Sequence, residues 1–274
     1  IGSQYTDGAL AIAADSGEEF LSKSEFFRNQ VTSNLQHVLY MEFRGGEVFA
    51  DKESIDFIEA ISETDFAAGI TLDISTNATL LTDRVINILN KFKGGKLRLS
   101  IDAYKEDDEW IRYHTDWDAV MSSMDTMDNL HEGWIFLTQT TVQLLNCLTL
   151  DKLIVFFNDY IIAKQDKRFF LGFTSVRGKD WLRHEMVPLK LREEAVAKLN
   201  ELRNTLPIFQ KDWETHGRML YGLDQLVAVL SDPEYTQEQK QDLSHRAQSF
   251  FETLTRVRKK DYFERFPHIK ESVA

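Results

Sequence analysis

Four short polar stretches each follow an apolar run and contain residue types suited to binding a small polar ligand. They are Arg44-Gly45-Gly46-Glu47, Ser75-Thr76-Asn77, Ser100-Ile101-Asp102 and the segment from Thr140 to Asn146. Carboxylates, amides and hydroxyls form hydrogen bonds, and glycines let a ligand approach the backbone closely. Taken singly, a Gly-Gly pair usually marks a tight turn and Ser-Thr-Asn usually caps a helix. Four such stretches in succession favour a binding site.

The apolar runs before these stretches predict strands, and helical patterns separate them. Strands are predicted over residues 37–43, 69–75, 96–102, 134–142 and 168–174, and helices over 17–34, 51–62, 83–92, 116–130 and 149–160, with Asp51 as an N-cap. Alternating strands and helices with short connections are typical of βαβ units and a parallel sheet. Ligands bind beyond the carboxyl ends of such strands, where all four polar stretches are expected to lie.

The character of the sequence changes after about Pro188. Long, charged helical patterns are predicted over 189–206, 212–230 and 237–259, and no strand is predicted there. Thr236 and Gln239 are spaced as a capping box would be at the start of the last long helix. We therefore predict a core domain over residues 1–187 and a helical C-terminal region over 188–274, whose charged runs are solvated helix faces.

Composition narrows the classes of function. A formal net charge of −12 disfavours binding to nucleic acids, and no stretch is long and apolar enough to span a membrane, so a cytoplasmic protein is expected. The one cysteine, Cys147, is expected to be a small buried residue. His114, His131 and His184 lack metal-ligand spacing, so no residue of this chain is predicted to be catalytic or to bind a metal.

The four stretches, in this order and at these strand ends, resemble the radical S-adenosylmethionine superfamily. Gly45-Gly46-Glu47 resembles the motif after that family's second strand, with Val48 where proline is usual. Ser75-Thr76-Asn77 and Ser100-Ile101-Asp102 resemble its third and fourth strands. Further matches to the subgroup of twitch-domain radical enzymes are Ile111-Arg112 followed by Asp116-Trp117, the segment 141–146, and Phe263-Glu264-Arg265-Phe266-Pro267. The resemblance implies an α/β fold, a partial TIM-like (β/α)6 barrel lacking its first strand, with a C-terminal helical tail.

The resemblance also implies S-adenosylmethionine as a cofactor and assigns contacts to it. Glu47 and the carbonyls of Gly45 and Gly46 would accept hydrogen bonds from the ammonium group. The carboxylate and ribose would be bound by small polar side chains, namely Ser75, Asn77, Ser100 and Asp102. Arg112 would pair with the carboxylate, or else form a surface ion pair with the acidic run 106–109. Asn146 would face the adenosine, or else stabilise a turn.

One departure from the family bears directly on chemistry. The family binds a [4Fe–4S] cluster through a Cys-x3-Cys-x2-Cys loop, and this sequence contains no such loop. We expect the chain to begin a few residues after that loop, with the cluster ligands outside it, and to be inactive alone. An electron donor such as flavodoxin or ferredoxin and a peptide or small-molecule substrate are implied partners. The alternative is a catalytically inactive barrel-fold protein with a binding or scaffold role.

Overall fold

The computed structural model describes residues 25–273, except for the side chains of Phe26 and Phe27. The strands are β1 Tyr40–Phe43, β2 Thr71–Thr76, β3 Gly94–Leu99, β4 Trp134–Val142 and β5 Phe169–Ser175. The helices are α1 Glu25–Thr32, α2 Lys52–Ser62, α3 Asp83–Leu89, α4 Glu106–Ile111, α5 Trp117–Thr126, α6 Leu150–Lys164, α7 Leu189–Thr205, α8 His216–Leu230, α9 Gln237–Arg258, α10 Tyr262–Arg265 and α11 His268–Val273. The predicted helix over 17–34 falls partly outside the described residues.

The α/β class and the parallel sheet are confirmed. Within residues 25–273, the five strands form one parallel sheet, and their order in the sheet is their order in the chain. The register of the first three strands is regular: Tyr40 pairs with Thr71, and Thr71 pairs with Gly94. Because neighbouring strands are also successive in sequence, a connecting segment that contains a helix lies between each pair.

The chain divides into two compact units. The first comprises the described part of Ile1–Ser100 with Arg112–Leu137, and the second comprises Ile101–Ile111 with the described part of Thr138–Ala274. Strand β5 and the part of β4 from Thr138 onward therefore share a unit with the C-terminal helices. Compactness does not show whether a segment folds by itself, so the domain boundary between 187 and 188 stays a prediction.

In the first unit, alternation along the strands produces one apolar face. Leu72 and Ile74 of β2 and Leu97 and Leu99 of β3 are completely buried, as the period of two predicts. Helices α2 and α3 pack against each other through residues that recur every three or four positions. Asp51 caps α2 as predicted, because its carboxylate accepts a hydrogen bond from the backbone N–H of Ser54 at 3.1 Å.

Strand β3 begins two residues before its predicted start. Gly94 and Gly95 have φ angles of 120° and 152°, and both lie in the strand rather than in a turn. A Cβ atom at Gly95 would lie 1.8 Å from the carbonyl oxygen of Leu72 on β2, and one at Gly94 would lie 2.2 Å from that of Gly133. Glycine is therefore required by close backbone approach. The strand also ends early, at Leu99, so Ser100-Ile101-Asp102 follows it.

In the second unit, the predicted long helices are confirmed, and no strand occurs within residues 189–273. Thr236 and Gln239 form the predicted capping box of α9. Helix α8 packs directly on β5, where a Cβ atom at Gly222 would lie 2.3 Å from the carbonyl oxygen of Leu171. None of the helices described between residues 25 and 273 is long and apolar enough to cross a membrane.

The acidic run 106–109 is partly buried. It forms helix α4, and Asp107 and Asp108 are buried. Asp108 accepts hydrogen bonds from the backbone N–H groups of Asp102 at 2.7 Å and Ala103 at 3.0 Å. The Nε of Arg265 donates to Asp107 at 2.8 Å. These buried carboxylates are retained because hydrogen-bond donors compensate their lost hydration.

Candidate functional site

The turn after β1 is built on glycine geometry. Gly45 and Gly46 have φ angles of 92° and 51°, in the left-handed region that favours glycine. A Cβ atom at either position would meet no atom within 4 Å, so space remains beside the backbone. Within residues 25–273, the carbonyl oxygens of these two glycines accept no hydrogen bond. The turn therefore offers both open space and open acceptors.

Glu47 joins this turn to the end of β2. One carboxylate oxygen accepts a hydrogen bond from the Thr76 hydroxyl at 2.8 Å and from the Phe49 backbone N–H at 3.2 Å. The other oxygen accepts from the Asn77 backbone N–H at 2.5 Å. Three donors on one carboxylate fix its position. Glu47 is therefore a structural cross-link as well as a possible ligand contact.

The Ser75-Thr76-Asn77 stretch ends β2 and begins a tight turn, and the helix-cap interpretation of this stretch is wrong. The Asn77 side-chain oxygen accepts from the backbone N–H of Thr79 at 3.0 Å, which is an Asx turn. Ala78 is buried with a φ of 59°, a left-handed conformation that is uncommon for alanine. Helix α3 has a different cap, because Thr82 accepts a hydrogen bond from the N–H of Val85.

A cavity of about 200 Å³ in the first unit brings together six of the nine predicted site residues. They are Gly46, Glu47, Ser75, Asn77, Ser100 and Arg112, and Thr76 is the seventh residue of the lining. Gly45 does not line the cavity, but it is bonded to Gly46, which does. The lining contains one carboxylate, one guanidinium and several small polar groups. Sequence reasoning did not assign a site role to Thr76, although it lies inside the stretch that was singled out.

Two hydroxyls of this cavity are available for a ligand. Within residues 25–273, the side chains of Ser75 and Ser100 form no hydrogen bond to protein groups. Ser100 is positioned by its backbone, whose N–H donates to the carbonyl of Thr76 at 2.8 Å. Ser75 lies in β2, so both hydroxyls extend from hydrogen-bonded backbone and keep unused hydrogen-bonding capacity, as a binding site for a polar group requires.

The remaining two predicted residues, Asp102 and Asn146, lie in the second unit and belong to a closed network. The Asn146 amide nitrogen donates to the carbonyls of Asp102 at 2.7 Å and Thr141 at 2.9 Å, and its oxygen accepts from the N–H of Gln143 at 2.8 Å. The Asp102 carboxylate accepts from the N–H of Thr141 at 2.7 Å. Asn146 is completely buried, so its predicted contact with adenosine would require these bonds to break.

Cys147 is buried, as predicted. Burial raises the pKa of its thiol to about 12, and its sulfur contacts the carbonyl of Leu144 at 3.7 Å. A thiol in this state is not ionised at neutral pH, and the thiolate is the form that binds iron or attacks a substrate. Cys147 is therefore a small packing residue.

One group of possible metal ligands occurs among the described residues, and it is already neutralised. His184, Glu185 and Asp232 have potential ligand atoms within 4.8 Å of one another. However, Arg183 donates to both oxygens of Glu185, and the buried Arg192 guanidinium lies among the same elements, where its Nη1 donates to the carbonyl of Asp232. Two guanidinium charges oppose a divalent cation. Burial lowers the pKa of His184, so this histidine is a neutral structural residue.

Comparison with known proteins gives little further information. No protein-family model matches this chain. A stretch of 97 residues, 35% of the chain, is 35% identical to an uncharacterized protein of Archaeoglobus fulgidus. The matched stretch spans 22% of that protein.

Proposed function

We propose that the cavity around Gly46 binds the amino-acid end of S-adenosylmethionine. The observation that carries the proposal is the cavity lining, which places a carboxylate, a guanidinium and two open hydroxyls around a glycine with free space. An α-amino acid presents an ammonium and a carboxylate, so this lining is complementary to both. The ammonium would bind Glu47 and the open glycine carbonyls, and the carboxylate would bind Arg112.

The hydrogen bonds of Glu47 are compatible with this role. A carboxylate can accept about four hydrogen bonds, and Glu47 accepts three from the protein. One acceptor position remains for an ammonium. Because the protein donors hold the carboxylate in place, the ligand would not lose binding energy in ordering it. Ser75 and Ser100 would bind the ligand carboxylate or ribose.

Radical chemistry is a wider part of the proposal, and these residues do not fit the cluster it needs. The only cysteine of the sequence is buried and protonated, so it cannot bind a [4Fe–4S] cluster. Cluster ligands and an electron donor such as flavodoxin or ferredoxin would have to come from outside these 274 residues. When bound, S-adenosylmethionine supplies the reactive group; this chain's residues bind and orient it.

The sheet supports the finer fold proposal. Five parallel strands follow one another in chain order without a reversal, which is the order of a sheet that curls into a partial (β/α)6 barrel. A doubly wound sheet would instead reverse its order at a switch point. A cytoplasmic location and a peptide or small-molecule substrate belong to the same proposal.

A comparison of ligands by isothermal titration calorimetry tests the binding site. S-Adenosylmethionine and S-adenosylhomocysteine both carry the amino-acid end, and 5′-methylthioadenosine lacks it. We expect 5′-methylthioadenosine to bind at least about tenfold more weakly, because it loses charge-assisted hydrogen bonds. Glu47→Gln and Arg112→Lys should weaken binding of the first two ligands, and Glu63→Gln on the surface should not. Equal binding of all three ligands contradicts the proposal.

The buried cysteine also favours the second candidate, a binding protein without radical chemistry. Both candidates predict a cofactor site, so the two differ only in turnover. The test is an anaerobic assay for 5′-deoxyadenosine with the natural full-length polypeptide that contains these residues, after iron and sulfide reconstitution. Formation of 5′-deoxyadenosine supports the radical enzyme. A cluster-free polypeptide that binds S-adenosylmethionine without cleaving it supports the binding protein.

A further inference from the structure

We infer that the polar face of strands β1 to β3 carries a second recognition site, at which Arg98 and Lys96 bind a carboxylate of the substrate. This inference rests on the proposed function, because it takes the occupant to be the molecule that reacts at the same site. All of the residues involved lie in the first compact unit.

The two faces of these strands are chemically different. Leu72, Ile74, Leu97 and Leu99 form a completely buried apolar face. The opposite face presents Thr71, Asp73 and Ser75 from β2 and Lys96 and Arg98 from β3. Parallel strands are usually apolar on both faces, because helices cover both. A charged second face is therefore a departure from this pattern, and its chemistry suits a polar occupant.

Asp73 is held in place by several protein partners. It accepts hydrogen bonds from Arg98 Nε at 2.6 Å, Arg98 Nη2 at 2.8 Å and the Tyr40 hydroxyl at 3.1 Å. The Lys96 ammonium lies 3.8 Å from the same carboxylate. Although burial opposes ionisation, the hydrogen bonds and charge of Arg98 hold the pKa of Asp73 below its usual range. Asp73 therefore serves to hold Arg98 in place.

This pairing uses only one of the two donor pairs of the Arg98 guanidinium. A guanidinium has one pair of parallel donors on Nε and Nη2 and a second pair on its two terminal nitrogens. Asp73 occupies the first pair. Within residues 25–273, Nη1 forms no hydrogen bond, and it is not among the buried atoms without a partner. The side chain is 19% exposed, so the second pair is accessible to a planar carboxylate.

The charge on this face favours an anion although the whole chain is acidic. The face and its edge carry three basic side chains, Arg44, Lys96 and Arg98, and two acidic ones, Glu42 and Asp73. Arg44 pairs with Glu42, and Asp73 pairs with Arg98, so the charge of Lys96 is in excess. A local positive excess in a chain of net charge −12 is consistent with selection for a negatively charged ligand group.

This face is continuous with the cavity described above. Ser75, which lines the cavity, is the register partner of Arg98 on the neighbouring strand. Adjacent strands lie about 4.8 Å apart, so Arg98 is one strand from the site proposed for S-adenosylmethionine. A carboxylate held there would anchor a substrate such as an amino acid or a peptide beside that site.

The test uses N-acetylglycine as the carboxylate probe and N-acetylglycinamide as the matched neutral probe, both without S-adenosylmethionine. Nuclear magnetic resonance of the arginine side-chain N–H groups in the full chain follows the titration, and the Arg98 signal is identified by its loss in Arg98→Lys. We expect N-acetylglycine to shift the Arg98 signal saturably and the amide to leave it unchanged. Arg98→Lys keeps a charge for Asp73 but removes the fork, so binding should weaken at least about tenfold. In this variant the titration is followed by the backbone amide signals of β2 and β3.

Further variants keep the result interpretable. Lys96→Met should weaken binding about threefold without breaking the pairing of Asp73 with Arg98, and it serves if Arg98→Lys does not fold. The surface variant Arg28→Lys should bind as the parent does. Equal shifts by both probes, no saturation, or unchanged binding in a folded Arg98→Lys protein overturns the inference. Because the titration contains no S-adenosylmethionine, its outcome is separable from the test of the proposed function.

Discussion

The strand ends of the two units both carry small polar residues but differ in their hydrogen-bonding states. In the first unit, the turn after β1 and the ends of β2 and β3 leave two glycine carbonyls and two serine hydroxyls without protein partners around a cavity. In the second unit, Asn146 is fully hydrogen-bonded and completely buried, and the carboxylate of Asp102 accepts from Thr141. We call these the open turns and the closed turn. The difference teaches that polar residues after a strand predict a turn, and that unused hydrogen-bonding capacity distinguishes a binding site.

The contrast between the open turns and the closed turn is tested most directly by a substitution in the closed turn. Asn146→Ala removes three hydrogen bonds and leaves the N–H of Gln143 and two carbonyls unsatisfied in a buried place. We expect the free energy of unfolding to fall by about 3–4 kcal/mol. Urea denaturation measures this, with Asn204→Ala on the exposed side of α7 as the control. A loss of less than about 0.5 kcal/mol would mean that the turn is not closed in solution.

Glu47→Gln tests the residue that has a structural role and a proposed binding role. The amide NH₂ of glutamine cannot accept the hydrogen bonds that one carboxylate oxygen accepts, so it opposes the N–H of Asn77 or the hydroxyl of Thr76. We expect a loss of about 1–3 kcal/mol in the free energy of unfolding. Calorimetry on the same variant measures S-adenosylmethionine binding. A variant as stable as Glu63→Gln would show that Glu47 is not a cross-link.

Acid should weaken the closed turn through His268. Its Nε2 donates to the carbonyl of Leu144 at 2.7 Å, and burial lowers the pKa of this histidine from its usual 6.5. The unfolded chain therefore binds a proton that the folded protein does not, and stability falls as the pH drops below about 6.5. Burial also lowers the pKa of His184, so this histidine adds to the loss of stability at low pH.

Urea denaturation between pH 7.5 and 5 measures this dependence, with the exposed His245→Gln as the control. His268→Gln retains an N–H donor but cannot titrate, so the dependence should become shallower. If the slope in His268→Gln equals that of the parent, protonation of this residue does not contribute.

The smallest effects on stability are expected at the open turns. Ser75→Ala and Ser100→Ala remove hydroxyls that have no protein partner, so the free energy of unfolding should change by less than about 0.5 kcal/mol. Affinity for S-adenosylmethionine should fall about three- to tenfold for each variant. Thr140→Val is the matched variant at a closed hydroxyl, which donates to the carbonyl of Ile101 at 2.6 Å. It should destabilise the protein and leave this affinity unchanged.

Much of the fold follows from local patterns. The alternation in β2 and β3, the cap at Asp51 and the capping box at Thr236 each depend on residues within a few positions, and each is confirmed. Gly94 and Gly95 fall outside the strand predicted over residues 96–102. Their inclusion in β3 depends on contact with the backbone of Leu72 and Gly133, which no local window contains.

Most residues of the candidate site were predicted, but their hydrogen-bonding states were not. The four polar stretches lie after strands or at strand ends, as the order of elements indicated. Which of them stay open depends on partners far along the chain: Asn146 bonds Asp102, and Asp107 bonds Arg265, more than 150 residues away. The pairing of Asp73 with Arg98 also depends on contact between distant parts of the sequence, because the register of β2 and β3 brings these residues together. Sequence separation therefore hid the interactions that distinguish structure from binding.

The position of β1 at the edge of the sheet has a consequence for association between molecules. Within residues 25–273 no strand pairs with its outer side. Leu39, which precedes β1, and Tyr40, its first residue, are 75% and 53% exposed. Unpaired backbone groups next to exposed apolar side chains act as a template for further strand pairing. At four residues, β1 is short enough to limit such pairing. Colloidal behaviour of this protein should therefore respond to Leu39→Lys, which would place a charge on the edge and slow aggregation at high concentration.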